Sequence, residues 1–367
     1  MVETRTGIRL EGAAQLVDTF CAHLANHDIA VTRVGDAVHF ALHGAQARID
    51  YADDRIDLHL SAQALADLHQ LKLMVASHLA EFQAAAGRLP PLVWEGDGVA
   101  AVRPPFFRVL TVVDRYPLCD WMTRVVLQGQ DLERYDTLAH LHCKLMFPRP
   151  DGPAPQWPML GADGLIVYPQ PPYRPDPRTY TIRRIDAAAG RIEVDFVLHD
   201  IAGPGADWAR RAAPGDVVGL GGPGGGGARP ADWTLLAGDE TALPAIARIL
   251  ETRPVGARGR VIIEVPSTEG LPEMPRPAGF ELQWLVRPAL PPSGSPPLEV
   301  AVRAIDWPGQ GSLFVWVGCE FDAFRGIRRY LRDERALSAR EHLAVAYWRR
   351  GFAEGQAGGR QSRVDEK

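Results

Sequence analysis

The densest chemistry in the chain is the run Arg178-Thr179-Tyr180-Thr181-Ile182-Arg183-Arg184, set in a stretch with strand-like alternation. In an extended backbone Arg178, Tyr180 and Ile182 share one face, while Thr181 and Arg183 share the other. An aromatic ring and guanidinium forks can then project from one rim. Tyrosine can pack against an isoalloxazine, threonine can hydrogen-bond near its N5 atom, and arginine can hold a pyrophosphate through two parallel bonds. An arginine-rich edge strand, protected against aggregation, would carry the same residues for a purely structural reason.

A second candidate lies in Phe196 to Ala209, FVLHDIAGPGADWA. Gly203-Pro204-Gly205 forms a turn, and Ala206-Asp207-Trp208 would start a short helix whose free N–H groups suit an anion. Glycine and proline explain a plain turn equally well. A third is Ala237-Gly238-Asp239-Glu240-Thr241-Ala242-Leu243-Pro244, at the carboxyl end of a buried strand, where open α/β sheets bind ligands. No G-x-G-x-x-G accompanies it, and Asp239 and Thr241 can also be read as helix caps. The glycine run from Gly219 to Gly227 lacks the Gly-Lys-Ser/Thr of a phosphate loop and reads as a flexible turn.

These motifs need elements to hold them. Residues 1–88 read as a small α+β module: apolar positions Leu16, Val17, Phe20 and Leu24, and again Leu65, Leu68, Leu71, Val75, Leu79 and Phe82, recur at helical spacing around a meander of alternating strands. Seven of the eleven histidines fall here, among them His23, His27 and His43. The pair His23-x3-His27 could place two imidazoles on one helix face, but no carboxylate-bearing motif accompanies it, so no metal is expected. Residues 89–105 are proline-rich and read as a linker. Over 106–230 six short runs predict an antiparallel six-stranded β-barrel: FRVLTVVDRYPL, WMTRVVLQG, HCKLMFP, RTYTIRRID, RIEVDFVLHD and DVVGLGG. Over 231–355 strands and helices alternate, which predicts an α/β doubly wound parallel sheet. Residues 356–367 are expected to form a flexible tail.

The 367 residues allow two or three domains, and 46% hydrophobic with 23% charged residues is a globular composition. A net charge of −5 excludes a global basic field for nucleic acid. The four cysteines, Cys21, Cys119, Cys143 and Cys319, have neither C-x-x-C nor iron–sulfur spacing. No apolar run is long enough for a membrane span, and the first residues carry no secretory pattern, so a cytoplasmic protein is expected.

Six motifs in order, RTYTIRR, FVLHDIAGPGADWA, PGDVVGLGGPGG, AGDETALPAI, WVGCEFDAFRGIRRYLRDE and AYWRRG, closely resemble the siderophore-interacting proteins, or ferric-siderophore reductases, over about residues 105–352. The resemblance implies a ferredoxin-reductase-like architecture, an FAD-binding barrel followed by a nicotinamide-binding domain. The preceding segment resembles an uncharacterised module found ahead of such reductases. By the same resemblance Arg178, Tyr180, Thr181 and Arg183 would hold the flavin, completed by His199, the turn Gly203, Ala206 and Trp208, and Asp239, Thr241 and Ala242. Lys144, Glu320, Tyr347, Trp348 and Arg349 would lie on the nicotinamide or siderophore side. The implied reaction passes electrons from NADH or NADPH through FAD to a ferric siderophore, releasing Fe(II). Separately, a monomer without nucleic acid or membrane partners is expected. A general flavin or electron-transfer reductase and a non-enzymatic siderophore-binding protein are the alternatives.

Ala206 stands where relatives usually carry serine, so a hydroxyl donor near the phosphate is missing. If the 203–208 turn meets the flavin pyrophosphate, Ala206→Ser should tighten FAD binding by at most about 1.5–3 kcal/mol, and less where a water already serves. Fluorescence titration of the apo-protein measures this, and weaker binding in the variant would remove the turn from the flavin site.

Overall fold

The computed structural model describes residues 1–26, 29–42, 44–83, 90–199, 203–271, 273–287, 294–352 and 354. His27, His43, parts of the expected linker and of the FVLHDIAGPG run, and the tail at 356–367 lie outside the described residues. Two compact units are present, one comprising residues 1–107 with 152–174, the other 108–151 with 175–367.

In the first unit, β1 (Val2–Arg9) precedes α1 (Ala13–Asn26); β2 (Val31–Val34), β3 (Ala37–Leu42), β4 (Ala45–Ala52) and β5 (Arg55–Ala62) form the expected meander. Then come α2 (Leu65–Gln83) and the short β6 (Glu95–Gly96). The sheet runs β2-β3-β4-β5-β1-β6, so β1 inserts between the end of the meander and β6. Alternation sends Phe40, Ile49, Leu58 and Leu60 onto one face, where Phe20 and Leu24 of α1 and Leu68, Val75 and Leu79 of α2 close a single core. β1 was not legible beforehand, because its inward residues include Thr4 and Thr6, whose hydroxyls bond the carbonyls of Glu95 and Val93. The His23 ring packs on His78 and Phe82 at centroid distances of 4.7 and 5.2 Å. Within 89–105, β6 pairs with β1, so part of the expected linker is sheet.

The second unit opens with β7 (Phe107–Cys119), β8 (Met122–Gln128) and β9 (His142–Phe147). The hairpin strands β10 (Met159–Leu160) and β11 (Ile166–Val167) interrupt it and group with the first unit, where Leu165 packs against the core and Trp94 Nε1 donates to the Asp163 carbonyl at 2.9 Å. β12 (Asp176–Thr181), β13 (Arg184–Asp186), β14 (Arg191–Val197), the helix α3 (Pro204–Arg211) and β15 (Val217–Gly224) complete it. The antiparallel order is β12-β9-β15-β7-β8-β14-β13. The two edge strands are consecutive in sequence, which rolls the sheet into a barrel around Leu110, Val125, Phe147, Ile182, Val194 and Phe196. Seven strands stand where six were expected. The RTYTIRRID run breaks at a corner, where the Ile182 N–H bonds the Leu141 carbonyl and the Arg183 N–H turns to Glu193.

β16 (Trp233–Asp239), α4 (Leu243–Glu251), β17 (Arg258–Val265), β18 (Gly279–Val286), α5 (Pro297–Arg303), β19 (Leu313–Glu320), α6 (Phe321–Arg329) and β20 (His342–Trp348) form the rest. The sheet is parallel throughout, ordered β18-β17-β16-β19-β20. Its strands are near-continuous apolar runs because helices cover both faces. Among the described residues no helix is long and apolar enough to cross a membrane.

The corner at residues 182–183 is fastened to α4. Arg248 donates to the carbonyls of Ile182 and Thr137, and the Arg183 guanidinium, 5% exposed, bonds both oxygens of Glu251 at 2.8 and 2.5 Å. Arg183→Met should therefore cost on the order of 2 kcal/mol, because a partly buried carboxylate loses its fork and keeps only Arg184 nearby. Urea unfolding of Arg183→Met and of Arg183→Met/Glu251→Leu tests it. The double variant should recover part of the loss, and a single variant as stable as the parent would show the pair to be idle.

Candidate functional site

Tyr180 is the residue around which the first part of the site is built. Its ring packs into the barrel core, 4.5 Å from Phe196 and 5.8 Å from Phe147. Its hydroxyl reaches the first turn of α3, where Gly205 makes room: a Cβ there would lie 2.1 Å from the oxygen. Burial pushes the phenol pKa up, so the hydroxyl stays protonated and able to donate. α3 begins at Gly203 with no side-chain cap, and a Cβ on Gly203 would meet nothing within 4 Å. Among the described residues, then, no side chain caps the first N–H groups of α3 beside Tyr180. Arg178, two residues earlier on β12, is half-buried and bonds its own strand at the Pro177 carbonyl, 2.6 Å away.

An uncapped helix start, a glycine-opened approach and an arginine on the adjoining strand together fit a pyrophosphate such as that of FAD. Other expected flavin residues serve the frame around them. Ala206 and Trp208 are buried in α3, with Trp208 packed on Phe147 and Phe196 at 5.2 and 5.8 Å. Arg183 directs its fork to Glu251.

The second part is gathered by Asp239, at the carboxyl end of β16. One oxygen accepts from the Thr241 N–H and hydroxyl at 3.0 and 2.5 Å. The other accepts from the Glu320 N–H and the Trp348 indole, both at 2.8 Å. Asp239 is 3% exposed; burial, then the neighbouring charge of Glu240, raises its pKa, while the donated bonds oppose the rise. Glu240 is neutralised separately by Arg287, which also bonds Glu264 at 2.7 Å. Ala242, fully buried, leads into α4. Glu320 caps α6 through the Asp322 N–H and accepts from the Arg350 N–H. Arg349 lies over the rings of Phe321 and Phe352 at 4.7 and 4.3 Å, and the His199 ring stands 6.3 Å from that of Trp348.

The two parts meet along β20. The Tyr347 hydroxyl bonds His142 Nε2 at 2.5 Å, so the barrel strand β9, which pairs with the motif strand, and the sheet's last strand share one polar contact. Beside it, Lys144 pairs with Glu354 and bonds Thr179 Oγ1, while Glu354 also accepts from the Thr179 N–H at 2.9 Å. His142, Glu354 and the close-approach role of Gly205 were not found from sequence. Among the described residues no group of three or more His, Cys, Asp or Glu is placed to hold a metal ion.

A barrel whose motif strand adjoins a glycine-opened helix start, followed by a parallel sheet whose carboxyl edge meets that barrel, defines a two-domain flavin oxidoreductase. Residues 111–227 match the profile of the siderophore-interacting FAD-binding domain, and residues 231–351 that of the siderophore-interacting protein. The chain belongs to the siderophore-interacting protein family. Residues 5–95 match a profile described as an uncharacterized protein conserved in bacteria. The ferric vibriobactin reductase ViuB of Vibrio cholerae is 35% identical over 248 residues, covering 66% of this chain and 90% of the relative. Two crystal structures are similar. The siderophore-interacting protein SipS from Aeromonas hydrophila has a TM-score of 0.58 at 32% identity, covering 68% of this chain and 93% of that one. A siderophore utilization protein from T. fusca has a TM-score of 0.57 at 36% identity, covering 67% and 94%.

His142 carries a titration signature. Burial, helped by the charge of Lys144, lowers its pKa to about 4, so the folded protein resists a proton that the unfolded chain accepts. The stability contributed by the neutral ring is whole above the ordinary imidazole value of 6.5 and is lost as pH falls toward about 4, by up to about 3 kcal/mol. Thermal melts across that window should fall more steeply for the parent than for His142→Asn. Parallel curves would show that the ring titrates normally.

Proposed function

We propose that this protein is an FAD-dependent ferric-siderophore reductase that uses NADH or NADPH to release Fe(II). The observation that carries it is the uncapped start of α3 against Tyr180 and beside Arg178, inside the segment that matches the FAD-binding family. Bound FAD would supply the conversion between two-electron nicotinamide chemistry and one-electron iron chemistry, which amino-acid side chains do not provide. Arg178 and the α3 N–H groups would hold its pyrophosphate, and the Tyr180 hydroxyl, kept protonated, would donate beside them. Thr181, buried at the end of β12 opposite His142, would steady the flavin strand. Lys144, with the edge around Glu320, Trp348 and Arg349, would face the nicotinamide or the anionic chelate. Hard oxygen donors hold Fe(III) better than Fe(II), so reduction loosens the iron without an acid–base triad.

Arg183 acts within this proposal as the fastening of the corner beneath the flavin strand, and His199 and Trp208 as walls around it. The chain works as a monomer in the cytoplasm, without nucleic acid or membrane partners; its net charge of −5 supports the exclusion of nucleic acid.

Arg178→Ala should purify folded but depleted in FAD, with affinity reduced about ten- to a hundredfold by loss of a charge-assisted contact. Full flavin occupancy in that variant would remove Arg178 from the site. Steady-state nicotinamide oxidation with several ferric chelates, Fe(II) being trapped as it appears, tests the activity itself. Faster turnover with free flavin or a protein acceptor than with any chelate would make the protein a general flavin reductase.

A further inference from the structure

The helices α1 and α2 cover only one face of the first unit's sheet. On the other face a single register row crosses all six strands: Thr32 on β2, His39 on β3, Arg48 on β4, His59 on β5, Arg5 on β1 and Glu95 on β6, each directly opposite the next. Neighbouring strands lie about 4.8 Å apart, so imidazole, guanidinium, imidazole and guanidinium succeed one another across four strands. Sheet stability does not explain this order, because directly opposed residues stabilise a sheet when they pair opposite charges. Here the acid partner of Arg48 is Asp50, two residues along its own strand, and only at the edge does Arg5 meet Glu95.

Those acids orient the arginines without enclosing them. Asp50 engages Nε and Nη2 of Arg48 at 2.9 and 2.7 Å, and Glu95 engages Nε and Nη2 of Arg5 at 3.2 and 3.0 Å. Each guanidinium is held at one edge, with its Nη1 side turned elsewhere, which lowers the ordering cost of binding a ligand. A cavity of about 630 Å³ lies over the row, lined by all four donors with Ser61, Gln46 and the carboxylates Glu3 and Glu95; Asp50 does not line it.

We infer that this open face is a binding site for a small, multiply charged oxyanion, held by Arg5, His39, Arg48 and His59. Polycarboxylates and phosphates share the required chemistry, namely oxygen acceptors spread over a few ångströms facing donors at strand spacing. The site uses only residues of the first unit and stands independently of the flavin site.

The test is isothermal titration of the full-length, FAD-loaded protein with citrate and, separately, with inorganic pyrophosphate. The parent should bind at least one of them at a single site, and Arg48→Gln and His59→Gln should each weaken that binding, Arg48→Gln by at least about tenfold, with flavin absorbance unchanged. Both positions are solvent-facing, so both variants should keep the parent's melting temperature. Binding of citrate alone would make the ligand a polycarboxylate, and binding of pyrophosphate alone a phosphate. Heat from neither probe, or binding that both variants leave intact, would overturn the site. Because the readout is binding and not iron reduction, it stands or falls separately from the reductase function.

Discussion

Everything at the carboxyl edge of the parallel sheet depends on one buried carboxylate, that of Asp239. A lone charge so far from water is costly, and the cost is tolerable only when donors converge on it. Four do, from Thr241, Glu320 and the Trp348 indole. They come from the loop after β16, the end of β19 and the end of β20. One side chain therefore sets how three chain segments end relative to one another. The adjacent Glu240 is satisfied by a full counter-charge from Arg287, whereas Asp239 is held by neutral donors alone. Among the described residues Asp239 thus has no ion-pair partner, although it lies at the carboxyl edge of the sheet.

The barrel solves a related problem by omission. Tyr180 can bring its hydroxyl to the α3 start only because position 205 has no side chain. The same strand then breaks, and the two residues at the break hand their N–H groups to different neighbours. Arg183 and Arg248 brace that corner from below with ionic and carbonyl contacts. Motif chemistry and barrel closure thus come from one seven-residue run, which explains why arginine, tyrosine and threonine crowd into it.

Much of this was legible beforehand, for identifiable reasons. All six barrel runs and the alternating pattern of the third segment follow from the periods of apolar residues, which the order of residues along the chain displays. The break inside RTYTIRRID did not follow, because it is made by the carbonyls of Leu141 and Glu193, remote in sequence. β1 was hidden by threonines that turn inward onto β6 and its approach. Arg183 was legible as to type and parity but not as to partner, since Glu251 lies in a helix with no motif of its own. His142 and Glu354 belong to no recognisable spacing, and their roles arise only where β9, β12 and β20 converge.

The placement of residues 152–174 bears on how the molecule is made. They lie between two barrel strands yet complete the first unit, so the chain passes between the units three times, near residues 107, 151 and 174. During synthesis the amino-terminal sheet emerges first but must wait for Asp163 and Leu165, some 69 residues beyond Trp94, before its last contacts close. Closing so long a loop is slow, although its entropic cost grows only logarithmically with length. Cleavage of any single one of the three crossings would leave both units covalently joined. The order of segments along the chain thus differs from the order in which the contacts of the first unit close.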